Sequence, residues 1–325
     1  MRKKIVSVLL AGMMLAAALT GCTGTGTQQE SAGQTGQSQE ESLAPAESQA
    51  SAESTSVEET QAGVPKYVFL FIGDGMSYPQ VQLTNYYLSA SQGQNAGTVT
   101  VEGEEKTKLD SKNNLTMMNF PIAGSAQTYD STSFAPDSAS TATSIATGNK
   151  TWSGSINVSE DFTQTYETIA EKLKAQKDMK IGILSTVNLN HATPAAFYAH
   201  QASRSSYYDI GLEMIDSGFD YFAGGGLLQP TGKEKDKEDL YALAEAAGYK
   251  VVQTQAEAEA LKAEDGKVIA IDEHLADSSA MSYELDRAEE EWALADYVEK
   301  GIEVLDNDNG FFMMVEGGKI DWACH

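Results

Sequence analysis

The feature that most constrains this chain is a repeated alternation of short apolar runs with stretches of helical spacing. The run from Lys66 to Ile72 ends in Gly73-Asp74-Gly75 and predicts a buried parallel strand, followed by a helix through about Leu88. After a polar, irregular stretch at about 91–114, an Ala/Thr-rich helix is expected from Ser138 to about Thr147. Helix 165–176 leads into strand 180–184, and helix 204–217 into strand 220–223 and the turn Gly224–Gly226. Helix 238–247 with strand 249–252, and helix 255–262 with strand 267–271, repeat the unit. A long acidic helix at about 283–306 precedes a last strand, 311–315. Such alternation predicts an α/β fold, a three-layer α/β/α sandwich around a mainly parallel sheet. Ligands of such sheets bind at the carboxyl ends of the strands. Attention therefore falls on Asp74, on the stretch Thr186–Thr193, and on Glu316–His325.

Three segments differ in composition. Arg2, Lys3 and Lys4 precede an apolar run, Ile5–Leu19, and then Gly21-Cys22, which reads as an export signal over residues 1–22. The placement of Cys22 is similar to a bacterial lipobox, where the cysteine is lipidated; the alternative is an ordinary cleaved signal. Residues 23–64 contain no aromatic residue and no Lys or Arg, the composition of a flexible Ser/Gln/Glu-rich linker. Residues 65–325 form the expected folded domain. This organisation implies a domain tethered to a membrane from outside the cytoplasm. The net charge of −25 disfavours nucleic acid as a specific partner, and two cysteines are too few for a disulfide scaffold.

The residues at the strand ends carry chemistry. Asp321 and His325 are four apart, on one face of a helical turn, where a carboxylate and an imidazole suit zinc; Glu316 is a hard oxygen donor suited to magnesium. Asp74 lies between two glycines, either as a ligand or as a turn residue capping the next helix. Ser138 begins a small-residue helix, where backbone N–H groups favour phosphate, although Asp137 or Ser138 could serve merely as an N-cap. No Ser-His-Asp triad is evident, so a nucleophilic Ser138 needs a metal. Thr193, before Pro194, offers an oxygen to magnesium, and Arg204 is a bidentate donor for a phosphoryl group or a solvated surface charge.

Gly73–Met76, Pro136–Ala139, His191–Ala195, Ala199-His200 with Arg204, Gly224–Gly226 and Glu316–His325 together resemble, in order, the motifs of the alkaline phosphatases. The resemblance runs from about Lys66 to His325. It implies a phosphomonoesterase acting on small phosphate monoesters with two zincs and one magnesium, and it admits a homodimer. Ser138 would be the phosphorylated nucleophile and Arg204 the phosphate clamp. Asp74 would bridge the second zinc and the magnesium, Thr193 and Glu316 would hold magnesium, and Asp321 and His325 would bind the first zinc. Family members vary between Asp and His at the position of His191, which bears on the magnesium site. Trp322 stands where some place a polar or basic residue.

The family's further ligands, an Asp-His pair and one more His, have no counterpart here, because His200 and His274 take no metal role in the resemblance. The fold is therefore expected to lack its C-terminal elements, with both zinc sites incomplete, a sheet edge uncovered and little or no activity in this chain. The competing readings are a related metal-dependent phosphodiesterase or sulfatase, and a non-catalytic lipoprotein that binds phosphate or metal. The serine in Asp137-Ser138-Ala139 argues against the sulfatase, and Arg204 favours a monoester dianion over a diester.

Overall fold

The computed structural model describes residues 65–91, 95–109 and 115–325, all within one compact unit, Ala62–His325. The export signal, Cys22 and all of the linker lie outside the described residues. Six parallel strands form the main sheet: β1 (Tyr67–Gly73), β4 (Lys180–Asn188), β5 (Tyr221–Gly225), β6 (Tyr249–Val252), β7 (Lys267–Ile271) and β8 (Phe311–Gly317). Their order across the sheet is β1-β8-β4-β5-β7-β6. The last strand in sequence thus lies between the first and the fourth, so the ends of β1, β8 and β4 are neighbours. This places Asp74, Glu316 and the segment after Asn188 at one edge of one crevice.

Successive side chains of each strand enter opposite layers, which is why buried parallel strands read as unbroken apolar runs. Phe312 and Met314 of β8, with Ile181 and Ile183 of β4, pack beneath α2 (Ser138–Thr147), α3 (Ile169–Lys177), α5 (Tyr207–Asp216) and α6 (Leu240–Ala246). Phe311, Met313 and Val315, with Leu184, pack against α7 (Gln255–Glu259) and α8 (Leu294–Leu305). The expected three-layer α/β/α fold with a parallel sheet is therefore present. Among the described residues no helix is long and apolar enough to cross a membrane.

Three expectations are corrected. First, β1 is an edge strand and not buried on both faces. Tyr67, Phe69 and Phe71 are 43%, 38% and 64% exposed, on the sheet face where α8 packs mainly on β4 and β5.

Second, the stretch at 91–114 contains an antiparallel hairpin, β2 (Asn95–Val101) and β3 (Glu104–Leu109), after α1 (Tyr78–Ser91). Its two-residue turn, Glu102-Gly103, has positive φ at both positions, the geometry that matches strand twist.

Third, the helix expected over 283–306 exists only from Leu294 to Leu305. Upstream, Arg287 Nη1 donates to the carbonyls of Ala288 (3.1 Å) and Glu291 (2.5 Å) and so diverts acceptors from a helical ladder. The helix begins where the Asp296 carboxylate accepts from the N–H of Ala293 at 2.7 Å.

Candidate active site

Asp74 leaves the end of β1 in a turn that only glycine permits. Gly75 has φ +62°, and a Cβ there would lie 2.6 Å from Asp321 Oδ1. That close approach brings the turn against α9 (Lys319–Trp322), which follows β8. Opposite, Ser138 opens α2. Its Oγ donates to Asp74 Oδ2 at 2.9 Å and lies 3.1 Å from Oδ1. Burial pushes the Asp74 carboxyl up, and the charge of Asp321 adds to this, while the Ser138 hydroxyl and Arg204 oppose it.

Asp137 is the N-cap of α2, with Oδ1 accepting from the Ser140 N–H at 3.2 Å and from the Gly154 N–H at 3.0 Å. Its Oδ2 accepts from Arg204 Nη1 at 2.7 Å. The guanidinium is thereby aimed at the helix start, and its Nη2 stands 3.5 Å from His191 Nε2. Burial would raise the Asp137 carboxyl, but the Gly154 N–H, Arg204 and Ser140 together hold it below its ordinary value. Beneath it, buried Asp130 accepts from the N–H groups of Thr132 (2.7 Å) and Ser133 (2.6 Å) and from the hydroxyls of Ser140 (2.9 Å) and Ser153. Burial again opposes ionisation; the hydrogen bonds from Ser153, Thr132 and Ser140 prevail and hold this carboxyl at about 2.

The other wall is differently made. Glu316, at the end of β8, is fully buried; its Oε2 accepts from the Ser185 hydroxyl and its Oε1 has no partner. Burial pushes this carboxyl up to about 7, with Ser185 opposing and Asp74 reinforcing the shift. Thr193 sits against Glu316, yet its buried Oγ1 also lacks a hydrogen bond of ordinary geometry. Ser185 reaches Glu316 because the two are register partners on the adjacent parallel strands β4 and β8. Gly224 (φ +119°) lets the neighbouring strand approach there, since a Cβ would meet the Ser185 carbonyl at 2.0 Å. His191 is held down to about 4 by burial and by Arg204, so its imidazole is neutral at neutral pH; its buried Nδ1 is unpartnered. The Trp322 ring lies edge-on to it, with centroids 6.1 Å apart.

Asp74, Ser138, Thr193, Arg204, Asp321 and His325 line one cavity of about 580 Å³. Glu316 joins it through Thr193 and Asp74, and His191 through Arg204. The eight candidates within the described residues are thus brought together. Asp130, Asp137 as partner of Arg204, and Ser185 were not singled out for these roles. Only Asp130 left a trace in the sequence, an Asp-Ser-Thr-Ser run with the signature of an Asx turn.

The donors present suit one metal and not the other. Asp74, Glu316 and Thr193 are hard oxygen donors, and the orphaned Glu316 Oε1 and Thr193 Oγ1 are what a magnesium ion would satisfy, so this set fits. Zinc is different. Asp321 Oδ1 and His325 Nε2 are 3.3 Å apart, and His325 is 78% exposed. Among the described residues no group of three or more His, Cys, Asp or Glu side chains could hold a metal ion. A two-ligand set falls short of the three or four protein ligands zinc takes.

Residues 65–325 match the family model described as alkaline phosphatase. Alkaline phosphatase 4 of Bacillus subtilis is 31% identical over 266 residues, covering 79% of this chain and 52% of that protein. The human tissue-nonspecific isozyme is 28% identical over 314 residues, covering 83% and 57%. Among solved structures, the alkaline phosphatase of the Antarctic bacterium TAB5 superposes with a TM-score of 0.59 at 29% identity, covering 80% of this chain and 67% of that one. The cold-active enzyme of Shewanella sp. gives a TM-score of 0.62 at 26% identity, covering 79% and 57%. The chain spans about half the length of the curated relatives it matches. Sheet order, cavity and sequence lead to one assignment: the chain belongs to the alkaline phosphatase family.

Proposed function

We propose that the cavity hydrolyses phosphate monoesters outside the cytoplasm, through a phosphoserine on Ser138. The observation that carries this reading is the Asp137 carboxylate, which holds Arg204 at the same helix start from which Ser138 Oγ donates to Asp74. A phosphoryl group at this point meets the α2 N-terminus and a guanidinium fork, both suited to its negative oxygens. Ser138 Oγ forms the bond to phosphorus as the ester oxygen departs with the bonding pair; the serine proton is directed at Asp74. Water then attacks phosphorus, and the Oγ–P bond breaks to release phosphate and restore the serine. Catalysis on this route is mainly placement and charge stabilisation.

Asp74, Thr193 and Glu316 would hold magnesium, whose chemistry is to neutralise the charge gathered at phosphate and nucleophile. Two relatives' structures support metal use: variants of the TAB5 enzyme were solved with Mg bound in the M3 site. No step is assigned to zinc, because Asp321 and His325 alone do not make a zinc site. Export and attachment through Cys22 are supported by the composition of residues 1–64.

The test is acid quenching of the metal-loaded protein after incubation with a labelled phosphomonoester. Label should be recovered on Ser138 of the wild type and be absent from Ser138→Ala, with a monoester turned over in preference to a diester. Label on another residue, or undiminished turnover by Ser138→Ala, would sink the proposal.

A further inference from the structure

Arg204 is held from two sides, and only the Asp137 side belongs to the site described above. Four residues before it, His200 lies between two carboxylates from different helices. Its Nδ1 is 3.4 Å from Glu213 Oε2 on α5, and its Nε2 is 3.6 Å from Glu171 Oε2 on α3 and 3.2 Å from the Tyr166 carbonyl. The side chain is only 19% exposed. Glu213 also accepts from the His200 backbone N–H at 2.6 Å and from the Gln201 side-chain amide. Glu171 Oε2 accepts from the Thr168 N–H at 2.7 Å, which closes the capping box of α3. One carboxylate thus grips the chain at residues 200 and 201, and the other anchors the same imidazole to a helix start.

From that grip the chain runs directly to the phosphate clamp. Gln201 exchanges both backbone hydrogen bonds with Ile156 (2.9 and 3.0 Å), and the Ala202 carbonyl accepts from the Ser155 hydroxyl at 3.1 Å. The Arg204 N–H donates to the Gly154 carbonyl at 2.7 Å, and the Gly154 N–H donates to Asp137. Residues 200–204 are therefore a short strap stretched between the Glu171/Glu213 pair and Asp137. The imidazole forms an ion pair with both carboxylates only while it is cationic; a neutral ring would leave them the backbone and Gln201 donors alone.

Resting on the phosphomonoesterase reading, we infer that the Glu171–His200–Glu213 clasp is a positioning device that sets Arg204, and with it the affinity for the phosphoryl group. Burial alone would make this imidazole harder to protonate. The two glutamates outweigh that and hold it protonated up to about 9. Among the described residues, the charged groups paired with the ring are Glu171 from α3 and Glu213 from α5, and the segment before α3 supplies a carbonyl.

The metal-loaded protein is assayed for competitive inhibition by inorganic phosphate and for turnover of a phosphomonoester. In His200→Gln the Ki for phosphate and the KM should rise together by about 10-fold, with kcat changed by less than about 3-fold. The wild-type Ki should climb as the pH passes about 9, and the variant should lack this limb. A wild-type Ki and pH profile in His200→Gln overturn the inference. Should that variant fail to fold, Glu171→Gln, which leaves the Glu213 contacts in place, must give a smaller rise in the same direction; no rise overturns it equally.

Independently of activity, the His200 ring followed by NMR should titrate far above an ordinary histidine and fall on Glu213→Gln. An ordinary value removes the clasp. A wild type that neither binds phosphate nor turns over monoester defeats the functional reading instead. The clasp then stands or falls on whether exchange of the Arg204 amide quickens by about 10-fold in His200→Gln.

Discussion

The two walls of the cavity are built on opposite terms. On the serine side, Asp130 and Asp137 are deeply set yet every oxygen has a donor, and hydrogen bonds hold both carboxyls below their ordinary values. On the strand side, Glu316 Oε1, Thr193 Oγ1 and His191 Nδ1 are buried and unpartnered, and the Glu316 carboxyl is pushed up. A buried polar group without a partner costs roughly 1–3 kcal/mol, more when charged. The contrast teaches that the polypeptide alone satisfies the carboxylates around the start of α2, while the other wall keeps buried polar atoms that it leaves without a partner.

Three substitutions break or sharpen this contrast. The largest effect is expected at Glu316. Its carboxyl, pushed up to about 7 from 4.5, is ionised at a cost in chelated protein at pH 8. Glu316→Gln should therefore raise stability to urea there by up to about 3 kcal/mol and abolish stabilisation by millimolar magnesium. A variant less stable than wild type, or one that still responds to magnesium, would refute the idea of an unsatisfied wall.

Asp130→Ala should do the reverse. Stripping five donors, the Thr132 hydroxyl among them, of their acceptor is expected to lower stability by about 2 kcal/mol at neutral pH. Because the folded carboxyl is held at about 2, below its ordinary 3.8, the stability it contributes is present above pH 3.8 and is lost as the pH falls toward 2. Urea titrations of wild type and variant should converge over that window and diverge above it; parallel curves would contradict the account.

The smallest change belongs to Thr193→Val. Replacing an unpartnered hydroxyl by a methyl group of similar shape should alter chelated stability by less than about 1 kcal/mol, while weakening the magnesium response. A loss as large as that of Asp130→Ala would erase the distinction between the walls.

How far this arrangement is legible in the sequence follows the same division. The strands could be read because a parallel strand buried on both faces is an uninterrupted apolar run, and their polar ends marked the cavity. The hairpin at 95–109 escaped because its strands carry Thr, Glu and Lys, and residues 97–106 are all exposed. The region 283–293 misled, since its acidic, alanine-bearing composition suits a helix, whereas there the Arg287 side chain folds back onto the carbonyls of Ala288 and Glu291. The ligand-facing residues could be named singly. Their supports could not, because Ser185 meets Glu316 across 131 residues and Asp130 meets Ser153 across 23, separations at which no local pattern survives.

Asp137 has a consequence for how the molecule would fail. One of its oxygens caps the helix that carries Ser138, and the other restrains Arg204. Fraying of that first turn would withdraw nucleophile and guanidinium in a single event, well before the sheet melts. Heat inactivation should then run ahead of global unfolding, with phosphate binding and serine reactivity decaying at one shared rate.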